Sequence, residues 1–240
     1  MITLLVDSGR FDGDELPIEG DAYRHLFRAR RLATGDHLRL VDGNGRARWG
    51  KIQSIGRTAA TVTLQDPAPA NEPTRRVDLF VPTLRPETAA WLVEKATEMG
   101  AAAIHFLNTD RAPRSFGDTT LARLRRVAAA AVEQCHRSLC PTIHEPAPLA
   151  AATTFASGRR WLLDPEAPPG FPQAPPSDEP PTDALLVGPE GGWASSETSA
   201  LAAAGWHRIA LGPRILRIET AAIAGLALLL LSPAPEPLKP

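Results

Sequence analysis

The 240-residue chain reads as an α/β protein in two parts: a small β-barrel, then a larger domain on a mostly parallel sheet. Two observations predict this. Residues 37–64, HLRLVDGNGRARWGKIQSIGRTAATVTL, are short alternating apolar runs broken by an Asp-Gly-Asn-Gly turn and single glycines, the pattern of consecutive hairpins. Beyond residue 77 the period changes, and short apolar runs alternate with stretches whose apolar residues recur at helical spacing. Between the two patterns DPAPANEPTRR, residues 66–76, holds three prolines and no periodicity. It marks a linker and places the domains at residues 1–70 and 77–240.

In chain order, DAYRHLFRARRL sets Tyr23, Leu26, Phe27 and Arg30 to Leu32 on a short helical segment with arginines beside the apolar stripe. VDLFVPT (77–83) is a buried-strand candidate. Pro86 opens a helix in which Trp91, Leu92, Ala96 and Met99 recur at helical spacing, and Gly100 ends it. A strand over 102–109 follows, then a helix over 121–135 with Leu124, Val127 or Ala128, and Ala131 inward and Arg123 and Arg126 outward. Strands are expected at 183–189 and 208–212, a helix at 196–205 between them, and an almost wholly apolar final helix at 219–231. The proline-dense stretch 165–181 reads as a solvated excursion.

Composition excludes several classes. The formal net charge is -1, so the chain is not a polycation. No basic start leads into a long apolar core, and the longest apolar run, 221–231, is too short to span a bilayer, so a cytoplasmic protein is expected. The charge is uneven, however. Residues 22–57 carry nine basic residues (Arg24, Arg28, Arg30, Arg31, Arg39, Arg46, Arg48, Lys51, Arg57) against Asp36 and Asp42, a candidate polyanion-binding face. From Trp161 to His207 there is no Lys or Arg, while Asp164, Glu166, Asp178, Glu179, Asp183, Glu190 and Glu197 fall there. CHRSLCPTIH (135–144) gathers two cysteines and two histidines, but its spacing fits no common structural zinc site, and no metal is expected.

The chemistry concentrates in two loops. LLVGPEGGW (185–193) runs a strand into three glycines, which is where open α/β sheets bind ligands. It lacks both the Gly-Lys-Ser/Thr of a P-loop and the GxGxxG of a dinucleotide turn, and Glu190 would repel a pyrophosphate. A ligand without phosphates fits better, and a purely structural turn stays open. LGPRILRIETA (211–221) repeats strand, Gly-Pro and helix entry. If the two loops share a pocket, Arg214, Arg217 and Glu219 project near it; Glu219 could equally complement the helix dipole and Thr220 cap the helix.

GPEGG in this setting, LGPRILRIETA, EKATEMGA (94–101) and AAVEQCHR (130–137) resemble the motifs of the RsmE family, uridine-N3 methyltransferases of small-subunit ribosomal RNA in the SPOUT superfamily. HLFRARRLATGD (25–36) followed by DGNG resembles that family's PUA-like barrel segment. The resemblance spans nearly the whole chain in the same order. It implies a PUA-like β-barrel followed by a SPOUT domain whose C-terminal segment is threaded as a trefoil knot. It implies S-adenosyl-L-methionine as cofactor, held by loop backbone at Leu186, Gly188, Pro189, Glu190, Gly191 and Gly192 and at Leu211, Gly212, Ile215 and Leu216. Arg217 and Glu219 become the catalytic candidates, the first to orient the uracil, the second as general base. Arg24, Arg28 and Arg31 become the RNA-backbone candidates, 16S rRNA or the small ribosomal subunit the partner, and a homodimer the assembly. A related SPOUT enzyme acting on another atom, such as a ribose 2′-hydroxyl, and a non-catalytic RNA-binding protein are the alternatives. The chain departs from the family pattern at His136, where Gly is usual, at Ile218, where Thr is usual, and at Ala194, where a capping Ser is usual, leaving Ser195 or Ser196 to cap.

Overall fold

The computed structural model describes residues 1–110, 116–170 and 182–231. By contacts the chain divides into two compact units, Met1–Glu72 with Ala129–Cys140, and Pro73–Ala128 with Pro141–Pro240. Part of the proline-dense stretch, 171–181, lies outside the described residues.

In the first unit five strands, β1 (Thr3–Leu5), β2 (Glu15–Glu19), β3 (His37–Val41), β4 (Ala47–Ile55) and β5 (Ala59–Pro67), hydrogen-bond in the order β1-β3-β4-β5-β2. Only β1 and β3 run parallel. The alternation seen in the sequence sends Leu16, Ile18, Leu38, Leu40, Ile52, Val62 and Leu64 to one core. The hairpin between β3 and β4 is closed by the Asp42 carboxylate, which accepts the N–H groups of Asn44 (2.8 Å) and Arg46 (3.0 Å). α1 (Gly20–Tyr23) continues into a π-helical turn, Arg24–Ala29, in which the Arg30 N–H reaches the His25 carbonyl. That wider turn lets Tyr23, Leu26 and Phe27 all enter the core while Arg24, Arg28, Arg30 and Arg31 stay exposed.

The basic face predicted for residues 22–57 is smaller than its composition suggests. Arg39 is fully buried and donates to the carbonyls of Pro69, Ala70 and Arg137. Its charge is consumed by backbone that the proline-rich linker cannot pair for itself. The linker is accordingly no free tether. Its Glu72 pairs with the buried Arg137 at 2.8 Å and accepts the N–H groups of Ser138 and Leu139, each at 2.8 Å. This is what the AAVEQCHR stretch does locally: it ends α3 (Asp118–Cys135), and its last residues complete the first unit. His136 there adopts φ 61°, the left-handed conformation that Gly takes most cheaply, and its ring Nδ1 lies 2.7 Å from the Thr3 hydroxyl.

The second unit carries a seven-stranded, wholly parallel sheet: β6 (Arg76–Pro82), β7 (Ala103–Asn108), β8 (Thr142–Ile143), β9 (Ala147–Pro148), β10 (Arg159–Leu163), β11 (Thr182–Val187) and β12 (His207–Ile209). The order is β12-β10-β11-β6-β7-β8, with β9 also on β7. Helices α2 (Pro86–Met99), α4 (Ala151–Phe155), α5 (Ser195–Ala203) and α6 (Ile218–Leu231) complete the unit together with the start of α3. On β11, Ala184 and Leu186 face a core with Ala152 and Ala156 at α4 and Leu201 of α5, while Leu185 meets Gly225 of α6 on the opposite face. A strand buried on both faces is apolar throughout, as the run ALLV requires.

Several expectations need correction. Trp91 does not face the core; it is 45% exposed. The strand expected over 208–212 is His207–Ile209, because the segment after it turns off at Gly212. The strand β10 and the short elements β8, β9 and α4 had no clear period to announce them. The acidic stretch is not simply solvated: Asp183 is fully buried, gripped by Arg159 through two bonds of 2.8 and 2.7 Å and by the Trp161 indole at 2.7 Å. Asp164 is paired with Arg208 at 2.7 Å. Among the described residues no helix is long and apolar enough to cross a membrane.

Candidate active site

The connections of the second unit diverge at one place. From β6 the chain crosses to β7 on one side, and from β11 it crosses to β12 on the other, so the gap between β6 and β11 is a topological switch point. Ligands of open α/β sheets bind at the carboxyl ends of the strands at such a point. The GPEGG loop leaves β11 there.

Its shape follows from its residues. Pro189 is buried and Gly188 half-buried, while Glu190, Gly191 and Gly192 are exposed. Gly192 adopts φ 71° and donates its N–H to the Pro189 carbonyl at 2.9 Å. Trp193 folds back so closely that a Cβ added at Gly188 would lie 2.7 Å from its indole nitrogen, which forces glycine at 188. Leu186 lies one step earlier, inside the ladder opposite Leu162 and Phe80, with its side chain fully buried.

The second loop starts two strands away, since β10 stands between β11 and β12. Residue Ala210 bridges to Pro169, and its N–H donates to the Pro168 carbonyl. Leu211, Gly212 and Leu216 are half-buried, Arg214 and Arg217 exposed, and Ile215 is 88% exposed. α6 then packs against β11 and β6. Since all these strands are parallel, residues 211–217 run along the same carboxyl edge from which the GPEGG loop leaves. The structure thus puts both loops on one edge of one sheet. Arg217 sits at the N-cap of α6, its carbonyl accepting the Ala221 N–H at 2.8 Å, and Glu219 is half-buried in the first turn. Thr220 lies inside that turn and does not cap it; Ile218 is buried, where a hydroxyl would need a partner. Neither Ser195 nor Ser196 caps α5: Ala194 is the N-cap, and Glu197 closes the turn by accepting the Ala194 N–H at 2.8 Å.

Three residues of this edge escaped the sequence reading. Thr109 Oγ1, after β7, and Trp193 Nε1 are buried with no hydrogen-bond partner among the described residues, and Glu197 is buried with both oxygens in use. Glu197, three residues past the cap, was the visible signal. Exposed glycines, an exposed carboxylate, an exposed apolar Ile215 and buried polar atoms unpartnered among the described residues suit a ligand that is part apolar, rich in hydrogen-bonding atoms and not anionic at its centre. S-adenosylmethionine, with its adenine, ribose and cationic sulfonium, fits that description. Among the described residues no cluster of three or more His, Cys, Asp or Glu is placed to hold a metal ion.

The chain thus carries a β-rich unit and a parallel-sheet unit with a ligand-binding loop edge, and comparison with known proteins assigns its class. Residues 70–230 match the RNA methyltransferase domain family, and residues 18–65 match the RNA methyltransferase PUA domain family. The chain is 30% identical over 241 residues to the ribosomal RNA small subunit methyltransferase E of Mycobacterium bovis, covering 94% of this chain and 90% of that one. It is 29% identical over 214 residues to the protein of the same name from Synechocystis, covering 85% and 68%. In fold it is similar to a ribosomal RNA small subunit methyltransferase E from Neisseria gonorrhoeae, solved bound to S-adenosyl methionine, with a TM-score of 0.82 at 22% identity over 95% of each chain. A Legionella pneumophila methyltransferase solved with the same cofactor gives 0.76 at 24% identity over 96% of each. The chain belongs to the ribosomal RNA small subunit methyltransferase E family.

Proposed function

We propose that the chain transfers the methyl group of S-adenosylmethionine to N3 of a specific uridine in 16S rRNA of the small ribosomal subunit. The observation that carries this reading is the placement of GPEGG at the switch point, with exposed glycines and an exposed carboxylate as its only charged side chain. When bound, S-adenosylmethionine supplies an electrophilic methyl group on a cationic sulfur. Backbone at Gly188, Pro189, Glu190, Gly191 and Gly192 and at Leu211, Gly212, Ile215 and Leu216 holds the cofactor, and Glu190 tolerates a cation where it would repel a phosphate. Uridine N3 carries a proton that must leave as the nitrogen attacks. Glu219 accepts it, and the Arg217 guanidinium at the N-cap of α6 offers donors to the uracil oxygens on which charge collects. The bound cofactor would supply the methyl group to N3 and would keep on sulfur the electron pair of the broken sulfur–methyl bond, while the proton from N3 goes to Glu219.

Arg24, Arg28 and Arg31 hold the RNA backbone from the π-helical turn. Arg31 supports this best, being exposed and without an ion pair among the described residues, whereas Arg24 engages Asp21 and Arg28 donates to the Arg57 carbonyl. The protein works in the cytoplasm as a homodimer; Trp91, Leu228 and Leu231, exposed on the packed pair α2 and α6, support the dimer. The C-terminal segment is threaded as a SPOUT trefoil knot, a reading supported by residues 168–170 pairing with Ala210 just before the chain returns to β11 as α6. The test is methyl-labelled cofactor with small subunits from a strain lacking the family enzyme, followed by nucleoside analysis. N3-methyluridine is expected; label on a ribose 2′-hydroxyl, or none, would reject the proposal. Arg217→Ala and Glu219→Ala should each lower turnover about 100-fold with cofactor affinity kept. Unchanged turnover would remove that residue from the mechanism.

A further inference from the structure

One buried carboxylate ties together two exits of the sheet. Glu197 is 7% exposed, and its oxygens are divided: Oε2 accepts the Ala194 N–H at 2.8 Å, and Oε1 accepts the Asp110 N–H at 3.1 Å. Capping of α5 accounts for the first bond only. The second reaches residues leaving β7, 87 positions away in sequence. β7 and β11 flank β6 on either side, so their ends stand two strand spacings apart, about 10 Å. Glu197 joins the segment leaving β7 to the segment that follows the glycine loop. Each residue it grips follows a buried polar group with no partner among the described residues: Thr109 precedes Asp110, and Trp193 precedes Ala194. An unpartnered buried donor is costly in a finished site and is expected where a ligand completes it.

We infer that Glu197 is a positioning residue for methyl transfer. It sets the spacing between the β7 exit and the glycine loop, so that Thr109 and Trp193 meet polar atoms of the bound methyl donor. The inference rests on the methyltransferase reading of this edge. Two variants separate bridge from cap: Glu197→Ala, and the same change combined with Ala194→Ser. The extended backbone of Ala194, φ -73° and ψ 152°, suits a capping serine, which can restore the helix end but cannot reach Asp110.

The measurements are S-adenosylmethionine titration calorimetry, thermal melting, methyl-transfer kinetics and amide hydrogen exchange on the full chain. In the double variant the melting temperature should recover while cofactor Kd and KM stay raised by about tenfold or more and kcat at saturating cofactor changes little. The Asp110 amide should exchange faster in both variants, with or without cofactor. Recovery of Kd along with melting temperature would reduce Glu197 to a cap and overturn the inference. So would unchanged protection of the Asp110 amide in Glu197→Ala. A wild-type protein that binds no S-adenosylmethionine would instead overturn the proposed function, and the exchange result on unliganded protein would still decide the bridge.

Discussion

At the scale of single residues, the most informative side chain outside the active site is His105. It is 4% exposed, stacked between Phe80 at 4.2 Å and His144 at 4.0 Å between ring centroids. Burial, reinforced by neighbouring His144 and Arg76, pushes its imidazole down to about 3. In the unfolded chain the same group titrates near 6.5. Between those values the unfolded chain binds a proton that the folded chain excludes, so the stability linked to His105 is complete above about pH 6.5 and is lost progressively toward pH 3. Asp78, on the same face, is pushed up by its own burial and works in the opposite sense, so a one-residue comparison isolates the histidine. His105→Phe preserves the stack and removes the titration. The loss of stability between pH 7.5 and 5, followed by urea unfolding, should shrink by about 2 kcal/mol; an equal loss in both proteins would contradict the assignment. The local sequence around His105 gives no sign of this environment. That it is buried depends on β8 and α4 delivering His144 and Phe155 to it, which residue type alone does not encode.

At the scale of elements, the end of α3 depends on one acid. Glu72 meets Arg137 and the N–H groups of Ser138 and Leu139, closing a helix end whose next residue, His136, is held in a left-handed conformation. Arg137 is almost fully buried, so Glu72→Ala removes an ion pair from a dry site together with the acceptor of two backbone N–H groups. The expected cost is roughly 2–4 kcal/mol, below the range for a fully buried pair because a fifth of the Glu72 side chain is exposed. Urea unfolding followed by circular dichroism would measure it, and a loss below about 1 kcal/mol would mean that the cluster is incidental. Elements were legible where their period was long: α2 with Pro86 at its start and Gly100 at φ 106° after its end, α3, and the almost wholly apolar α6. They were not where length ran out. β10 shows only a Trp-Leu-Leu run after two arginines, yet it lies between β11 and β12 and therefore sets the distance between the two loops. Its arginines look like a solvated end, whereas Arg159 neutralises the buried Asp183 and Arg160 donates to the carbonyls of Ala156 and Ala204.

At the scale of the whole molecule, the proposed homodimer makes the exposed apolar side chains of α2 and α6 its interface. Trp91→Glu with Leu228→Glu, both at exposed positions, should leave the fold intact and shift sedimentation to the monomer. A wild-type chain that sediments as a monomer at micromolar concentration would reject the dimer. The chain by itself determined its class of structure: hydrophobic period separates hairpins from alternating strands and helices, and Gly and Pro place turns through local backbone sterics. It also carried the two loops and the family they resemble, because those motifs are contiguous. Only the tertiary structure decided which charges serve the surface and which serve the interior, taking Arg39, Asp183 and Glu197 inward to satisfy groups far away in sequence. The physical reason is that burial and hydrogen-bond pairing are properties of neighbours in space. The order of strands, which brings Asp110 and Ala194 within reach of one carboxylate, is written in no single segment of the chain.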